Sequence, residues 1–325
     1  MAILVGIDEA GYGPILGPLV ASAAIFHLPE AHLNQSLWEI LRQSVCKQRS
    51  TSAGRIVIND SKKLHSRIKG YECLERGVLA ALASMPETFR LQTVHQLFER
   101  LDPTEGTSIH DLADYPWYEK IIHHALGYAP ADIATAGAAL SHDMQIHQIH
   151  MVGLWSRLLP AGHFNRQVQA VNNKASVLFS LICQLVDTAW RRFGHDNLQV
   201  AIDKQSGRRH YRRSLQQMFP GQEFKILKED DTTSSYQLYD TQRSMKIHFL
   251  QKGEQRQLPI ALASMTSKYV RELCMEMLNG YFRRRCPELA PTAGYYTDGR
   301  RFLKDLEDYA LPAQIAPEHL LVRER

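Results

Sequence analysis

The stretch from Ala2 to Val20, AILVGIDEAGYGPILGPLV, sets the tightest limit on the fold. Ile3 to Ile7 is an unbroken apolar, largely β-branched run, so as a strand it is buried on both faces. Such a strand belongs inside a sheet with further layers packed on each side. The run ends in adjacent carboxylates, Asp8 and Glu9, and then in Gly11-Tyr12-Gly13-Pro14. Successive strand residues point to opposite faces, so both acids serve one cation only where the strand breaks. Gly11 and Gly13 provide the freedom for a bend there and for close approach of a ligand backbone.

Further runs extend the sheet. Leu16 to Leu28 predicts a second strand, placing Asp8 and Glu9 near a hairpin turn. Asn34 to Cys46 has helical spacing with Asn34 as its cap, and Arg55 to Asp60 predicts a third strand. Tyr71 to Met85 is helical by period. Pro86 to Ser141 is loop-rich, with Pro103, Gly106, Pro116, Gly127 and Pro130 as breakers. His142 to Trp155 predicts a strand, and Asn172 to Phe193 a helix that is apolar almost all round. Leu198 to Asp203, Ser235 to Tyr239 and Ser244 to Glu254 predict strands, and Leu258 to Leu278 a long helix. The expected fold class is α/β: one mixed sheet with helices on its faces.

Three strand-like runs end in acid: Asp8-Glu9, Asp203 and Glu254, with Asp240 as the rival to Glu254. A buried carboxylate without a partner is costly, so acids converging on one sheet edge call for cations. Oxygen-only ligation suits Mg²⁺ or Mn²⁺. Two such ions about 4 Å apart clamp the attacking and leaving oxygens of a phosphodiester. Basic clusters with interleaved aromatics, at Gly207 to Leu215, Tyr281 to Cys286 and Asp298 to Lys304, suit a phosphate-contacting surface. The net charge of +4 permits an anionic partner without requiring one. His142, His147 and His150 lie close in sequence without a spacing that marks a zinc site, and Glu229 to Asp231 reads as a solvated turn. No nucleophile triad and no phosphate-binding P-loop motif stands out.

The five cysteines, an odd number without C-x-x-C spacing, suit reduced thiols. There is no basic leader and no apolar run near 18 residues, so a cytoplasmic protein without membrane spans is expected.

The opening GIDEAGYGPILGPLV resembles the first signature of the type 2 ribonucleases H. DSKKL (Asp60 to Leu64) resembles the next motif of that family, and VAID the strand that ends in its third catalytic aspartate, here Asp203. KGEQRQLPIALASMTSKYVREL resembles the Gly-Asp segment and following helix, counting back from Ile260 and Ser264 to Glu254, and GYYT (Gly294 to Thr297) the late Gly-Tyr motif. The chain departs from that pattern at Tyr12, where the family carries Arg or Lys, at Glu254 in place of Asp, and at Arg271-Glu272 in place of Arg-Asp.

The resemblance implies a ribonuclease H-like sheet forming a single domain over residues 1–325, with an inserted elaboration at 65–141 and a C-terminal helical extension at 273–325. It implies an endonuclease that cuts the RNA strand of RNA–DNA hybrids or at ribonucleotides embedded in duplex DNA. Asp8, Glu9, Asp203 and Glu254 would hold two Mg²⁺ or Mn²⁺ ions. Gly11, Tyr12, Gly13, Ser61, Lys62, Lys63 and Tyr295 would contact the substrate. A monomer is expected. The alternative is a nucleic-acid-binding protein that keeps the fold without cutting.

Overall fold

The computed structural model describes residues 1–65, 70–87, 89–104, 111–205, 208–312 and 315–324. Gly106 and Gly207, a breaker and a cluster residue in the sequence reading, lie outside them. The strands are β1 (Ala2–Ala10), β2 (Leu19–Leu28), β3 (Val45–Cys46), β4 (Ile56–Val57), β5 (His150–Leu159), β6 (Leu198–Asp203), β7 (Glu223–Glu229), β8 (Thr233–Tyr239) and β9 (Ser244–Leu250). Among the described residues the central sheet has seven strands in the order β5-β2-β1-β6-β9-β8-β7. It is mixed: β1 pairs parallel with β6 and β6 with β9, while the other neighbours are antiparallel. The helices that matter below are α1 (Ser61–Leu64), α2 (Glu72–Ala83), α3 (Pro130–Ile146), α4 (Lys174–Phe193), α5 (Gly253–Arg256), α6 (Leu258–Arg283) and α7 (Tyr296–Glu307).

Both faces of β1 are covered, as its unbroken apolar run requires. Ile3, Val5 and Ile7 face α4, in a cluster with Val177, Ile182, Val186 and Trp190. Leu4 faces the other way, in a cluster that joins Met265 and Tyr269 of α6 to α2 and α3. The start of α6 lies directly on β1. A Cβ on Gly6 would meet the Pro259 carbonyl carbon at 2.2 Å, so only glycine lets the helix come this near. At the far edge, β7 exposes Ile226 and Leu227.

Several elements differ from the sequence expectation. The helix expected over Asn34–Cys46 is one turn, Leu37–Ile40, following Ser36 and not Asn34. Tertiary contacts capture the rest. Asp143 Oδ2 accepts from the Ser44 N–H (2.9 Å) and hydroxyl (2.8 Å), and Val45–Cys46 pair in parallel with Ile56–Val57. The strand expected over Arg55–Asp60 therefore shrinks to that two-residue ladder, outside the main sheet. The strand expected from His142 is helix to Ile146 and becomes strand only at His150. Helix α4 is a packing helix, as its apolar content implies: ten of its residues from Val177 to Trp190 are buried, and Gln184, Arg191 and Arg192 are exposed. Glu254 does not end β9; that strand stops at Leu250 and Glu254 sits in the short α5.

Candidate functional site

Strand register assembles the acids. The parallel pairing of β1 with β6 runs to Ile7–Ile202, so Asp8 and Asp203 follow one step beyond it on neighbouring strands. Gly6 and Ala201, two residues before each acid, both lie on the α6 side. By strand alternation Asp8 and Asp203 leave the sheet on that same side, about 5 Å apart at the backbone. Asp203 pairs with Leu250 in β9, and the chain turns from there into α5, which returns Glu254 to the same edge. The Gly253 N–H donates to Asp203 Oδ1 at 2.7 Å and fixes that turn. Asp240, the rival fourth acid, lies at the opposite end of β9, paired with Arg243 at 2.8 Å, and is excluded.

The strand does not break at the acids. β1 stays in register with β2 through Asp8–Ser22, Glu9–Ala21 and Ala10–Val20, and the bend begins only at Gly11. The apolar neighbours on both strands hold the ladder to its end, so Glu9 leaves the face opposite Asp8. Gly11 has φ +91°, and a Cβ there would meet the Pro18 oxygen at 2.5 Å. Gly13 has open space around its Cα and is exposed.

Asp8 is held from two directions. The Ser267 hydroxyl donates to the Asp8 carbonyl at 3.0 Å and contacts Ser22 Oγ at 2.8 Å. Ser264 hydrogen-bonds the Asp8 carboxylate and lies 3.0 Å from Ser61 Oγ, joining α6, β1 and the DSKKL turn. Asp60 caps that turn by accepting from the Lys62 N–H at 3.0 Å. Ser61 is buried, while Lys62 and Lys63 are exposed. Tyr12 is half-buried and carries the Lys174 ammonium 4.6 Å from its ring centre. Tyr295 is 53% exposed, beside Gly294, whose carbonyl accepts from Ile15 N–H at 2.8 Å.

The acids act on one another. Burial, then the charges of Glu9 and Asp203, push the Asp8 carboxyl well above the usual carboxylate range, against the pull of Ser264. Burial raises Glu9 to about 6, and the Lys62 charge opposes this. Burial raises Asp203 to about 7, with the Gly253 N–H opposing and Glu254 and Glu9 adding to it. Clustered acid oxygens that repel one another fit a hard divalent cation in chemical kind. Among the described residues, no group of three or more His, Cys, Asp or Glu is drawn together in metal-binding geometry.

Three contributors escaped the sequence reading as site residues. Ser267 stands one helical turn after Ser264, and that spacing on a helix facing the acids was the available signal. Lys174 begins a helix, where nothing in the sequence ties it to Tyr12. Arg323 lies in LLVRER with no local signal at all.

No family model matches the chain, and no curated protein matches it. Solved structures are similar to it. One is a variant of Bst ribonuclease HIII, with 16% identity and TM-score 0.42, covering 93% of this chain and 62% of that one. Another is Bst ribonuclease HIII in complex with Mn²⁺, with 14% identity and TM-score 0.45, covering 99% and 66%. A third is ribonuclease HII of Archaeoglobus fulgidus in its complex with PCNA, with 13% identity and TM-score 0.40, covering 99% and 94%. The chain thus spans about two thirds of the length of the ribonuclease HIII chains. What the site can do follows from its own geometry.

Proposed function

We propose that the protein is a divalent-metal-dependent endonuclease that cuts the RNA strand of RNA–DNA hybrids, or at ribonucleotides embedded in duplex DNA. The observation that carries this reading is the convergence of Asp8, Asp203 and Glu254, with Glu9 alongside, on one sheet edge beside a glycine-bracketed turn. Divalent ions bound by these four residues would neutralise the phosphodiester and activate water. The protein's other groups position the substrate. Lys62, whose charge reaches Glu9, and the exposed Lys63 next to it would meet phosphates, and the open Gly13 would admit a sugar-phosphate backbone at close range. The exposed ring of Tyr295 offers a stacking surface, and Lys174 on Tyr12 supplies a cation next to the turn. Reading a 2′-hydroxyl through the Gly11–Gly13 backbone accounts for a preference for RNA. Five unpaired thiols suit a reducing compartment such as the cytoplasm.

The test is incubation with end-labelled hybrid, single-ribonucleotide duplex and plain DNA, with Mg²⁺, Mn²⁺ or chelator. Cleavage only of ribonucleotide-containing strands, and only with metal, is expected. Salt-sensitive binding of hybrid without cleavage under any metal would favour the non-cleaving alternative, and cleavage of plain DNA would discard the specificity.

A further inference from the structure

The turn that follows the acids has almost no partners of its own. Gly11 to Leu16 is irregular backbone, and buried irregular backbone needs partners from elsewhere. They come from the far end of the sequence. The Arg323 N–H donates to the Ile15 carbonyl at 2.8 Å, and Leu16 bridges Val322. The Arg323 guanidinium, through Nη2, donates to the carbonyls of both Gly11 and Pro14. Arg271 Nη2 adds bonds to the carbonyls of Leu16 (3.2 Å) and Ala293 (3.0 Å). The segment bearing Arg323 is itself pinned by Asn165, which donates to the Val322 carbonyl at 2.7 Å and accepts from the Glu324 N–H at 2.8 Å.

Arg323 is an expensive residue to place there. It is 3% exposed, its Nε and Nη1 lack hydrogen-bond partners, and no carboxylate among the described residues pairs with it. The guanidinium also lies 5.0 Å from the centre of the Phe164 ring. Burial and the nearby Arg271 charge lower its pKa to about 9. An apolar side chain would serve stability better at such a site. Both carbonyls accept from one planar nitrogen, whose two N–H bonds point in fixed directions, so the guanidinium sets two carbonyl directions at once. In a trans peptide the C=O and the following N–H point opposite ways, so drawing the Gly11 carbonyl inward turns the Tyr12 N–H outward.

We propose that Arg323 is a positioning residue for the site: by drawing the Gly11 and Pro14 carbonyls inward, it aims the Tyr12 amide N–H at an oxygen of the bound nucleic acid. The substrate half of this rests on the nuclease reading above; the latch itself does not. Hydrogen exchange of the substrate-free protein tests the latch. In Arg323→Ala the peptide covering Gly11 to Leu16 should exchange about tenfold faster or more, the loss expected for charge-assisted hydrogen bonds, while β1 and β6 keep their protection. Millimolar guanidinium, but not urea, should restore protection by filling the vacated space. If Arg323→Ala does not fold, Arg323→Lys is read on the same peptide, where an ammonium that stops one atom short of the Nη2 position should leave the turn deprotected. Hybrid KM should rise about tenfold with kcat nearly unchanged. Unchanged exchange in the turn, or uniform deprotection of the whole chain without guanidinium rescue, overturns the latch. A released latch with unaltered KM overturns its role toward substrate. A wild type that neither binds nor cuts hybrid removes the nuclease reading, and the exchange result still decides the latch.

Discussion

At Asp8 stability and use conflict: the buried carboxyl is disfavoured in the charged form that a cation needs. Its folded-state pKa, like those of Glu9 and Asp203, lies above the unfolded value, so the folded protein binds more protons than the unfolded chain. The stability these groups allow is therefore present below about pH 4 and lost as pH rises through about 6 to 7. In chelator, the unfolding free energy from urea titration should fall between pH 5 and pH 8 by an amount on the order of a few kcal/mol. Asp8→Asn keeps an oxygen to accept the Glu9 N–H (2.8 Å) and removes one charge. It should raise the metal-free Tm, flatten that pH dependence, abolish cleavage, and weaken the Tm gain that Mn²⁺ gives the wild type. A variant that stays active, or gains as much from Mn²⁺ as wild type, would contradict this. The two glycines of the turn part company at the same scale. Gly11→Ala forces a side chain into φ +91° and against the Pro18 oxygen and should cost about 2 kcal/mol or more. Gly13→Ala meets nothing and should shift stability by less than about 0.5 kcal/mol. Chemical denaturation of the pair checks both.

Among the elements, α6 links core to site. It presses Pro259 and Ile260 against Gly6, two residues before Asp8, and reaches Asp8 itself through Ser264 and Ser267. Gly6→Ala sets a Cβ against helix backbone, which cannot turn aside, and should cost about 3 kcal/mol, the upper end for overpacking. The displaced helix would also draw both serines away from Asp8, so the Mn²⁺-induced Tm gain should shrink. An undiminished gain in a folded Gly6→Ala protein would show that α6 and the acids are independent. The elements also show where sequence patterns speak. β1, β2 and β6 were legible as largely apolar runs and β9 by its alternation of Met245, Ile247 and Phe249 with polar residues, and the register of β1 with β6 carried Asp8 and Asp203 to one edge. Where distant contacts decide, the pattern misleads: Asp143, 99 residues from Ser44, pulls the chain out of the helix expected there. Helix α3 was readable and was missed. Pro130 opens it, and Ile133, Ala136, Leu140 and Met144 repeat at helical spacing. Arg323 was not readable, because its meaning lies wholly in what it touches.

At the scale of the whole molecule, the stretch around α2 and α3 is bound to the sheet by a buried polar tie as well as by apolar packing. The Tyr269 hydroxyl of α6 donates to Glu75 Oε1 at 2.7 Å, with Glu75 only 6% exposed. Burial pushes the Glu75 pKa up, and this bond and the Gly127 N–H pull it down. Tyr269→Phe keeps the ring and leaves a buried carboxylate short of a donor, which should cost about 1–3 kcal/mol. Hydrogen exchange should then report lost protection across α2 and α3 before the sheet; uniform loss would mean that the two regions open as one. No helix among the described residues is long and apolar enough to cross a membrane. The latch between Gly11 and Arg323 spans 312 residues, and this separation has a consequence for the chain as it is made. At about 5–20 residues per second, a ribosome needs roughly 15 to 60 s to travel that distance. For all of that interval the turn beside Asp8 lacks the groups that order it. A nascent chain stalled between Leu250 and Val322 would hold the strands of the sheet together with a slack, protease-sensitive turn.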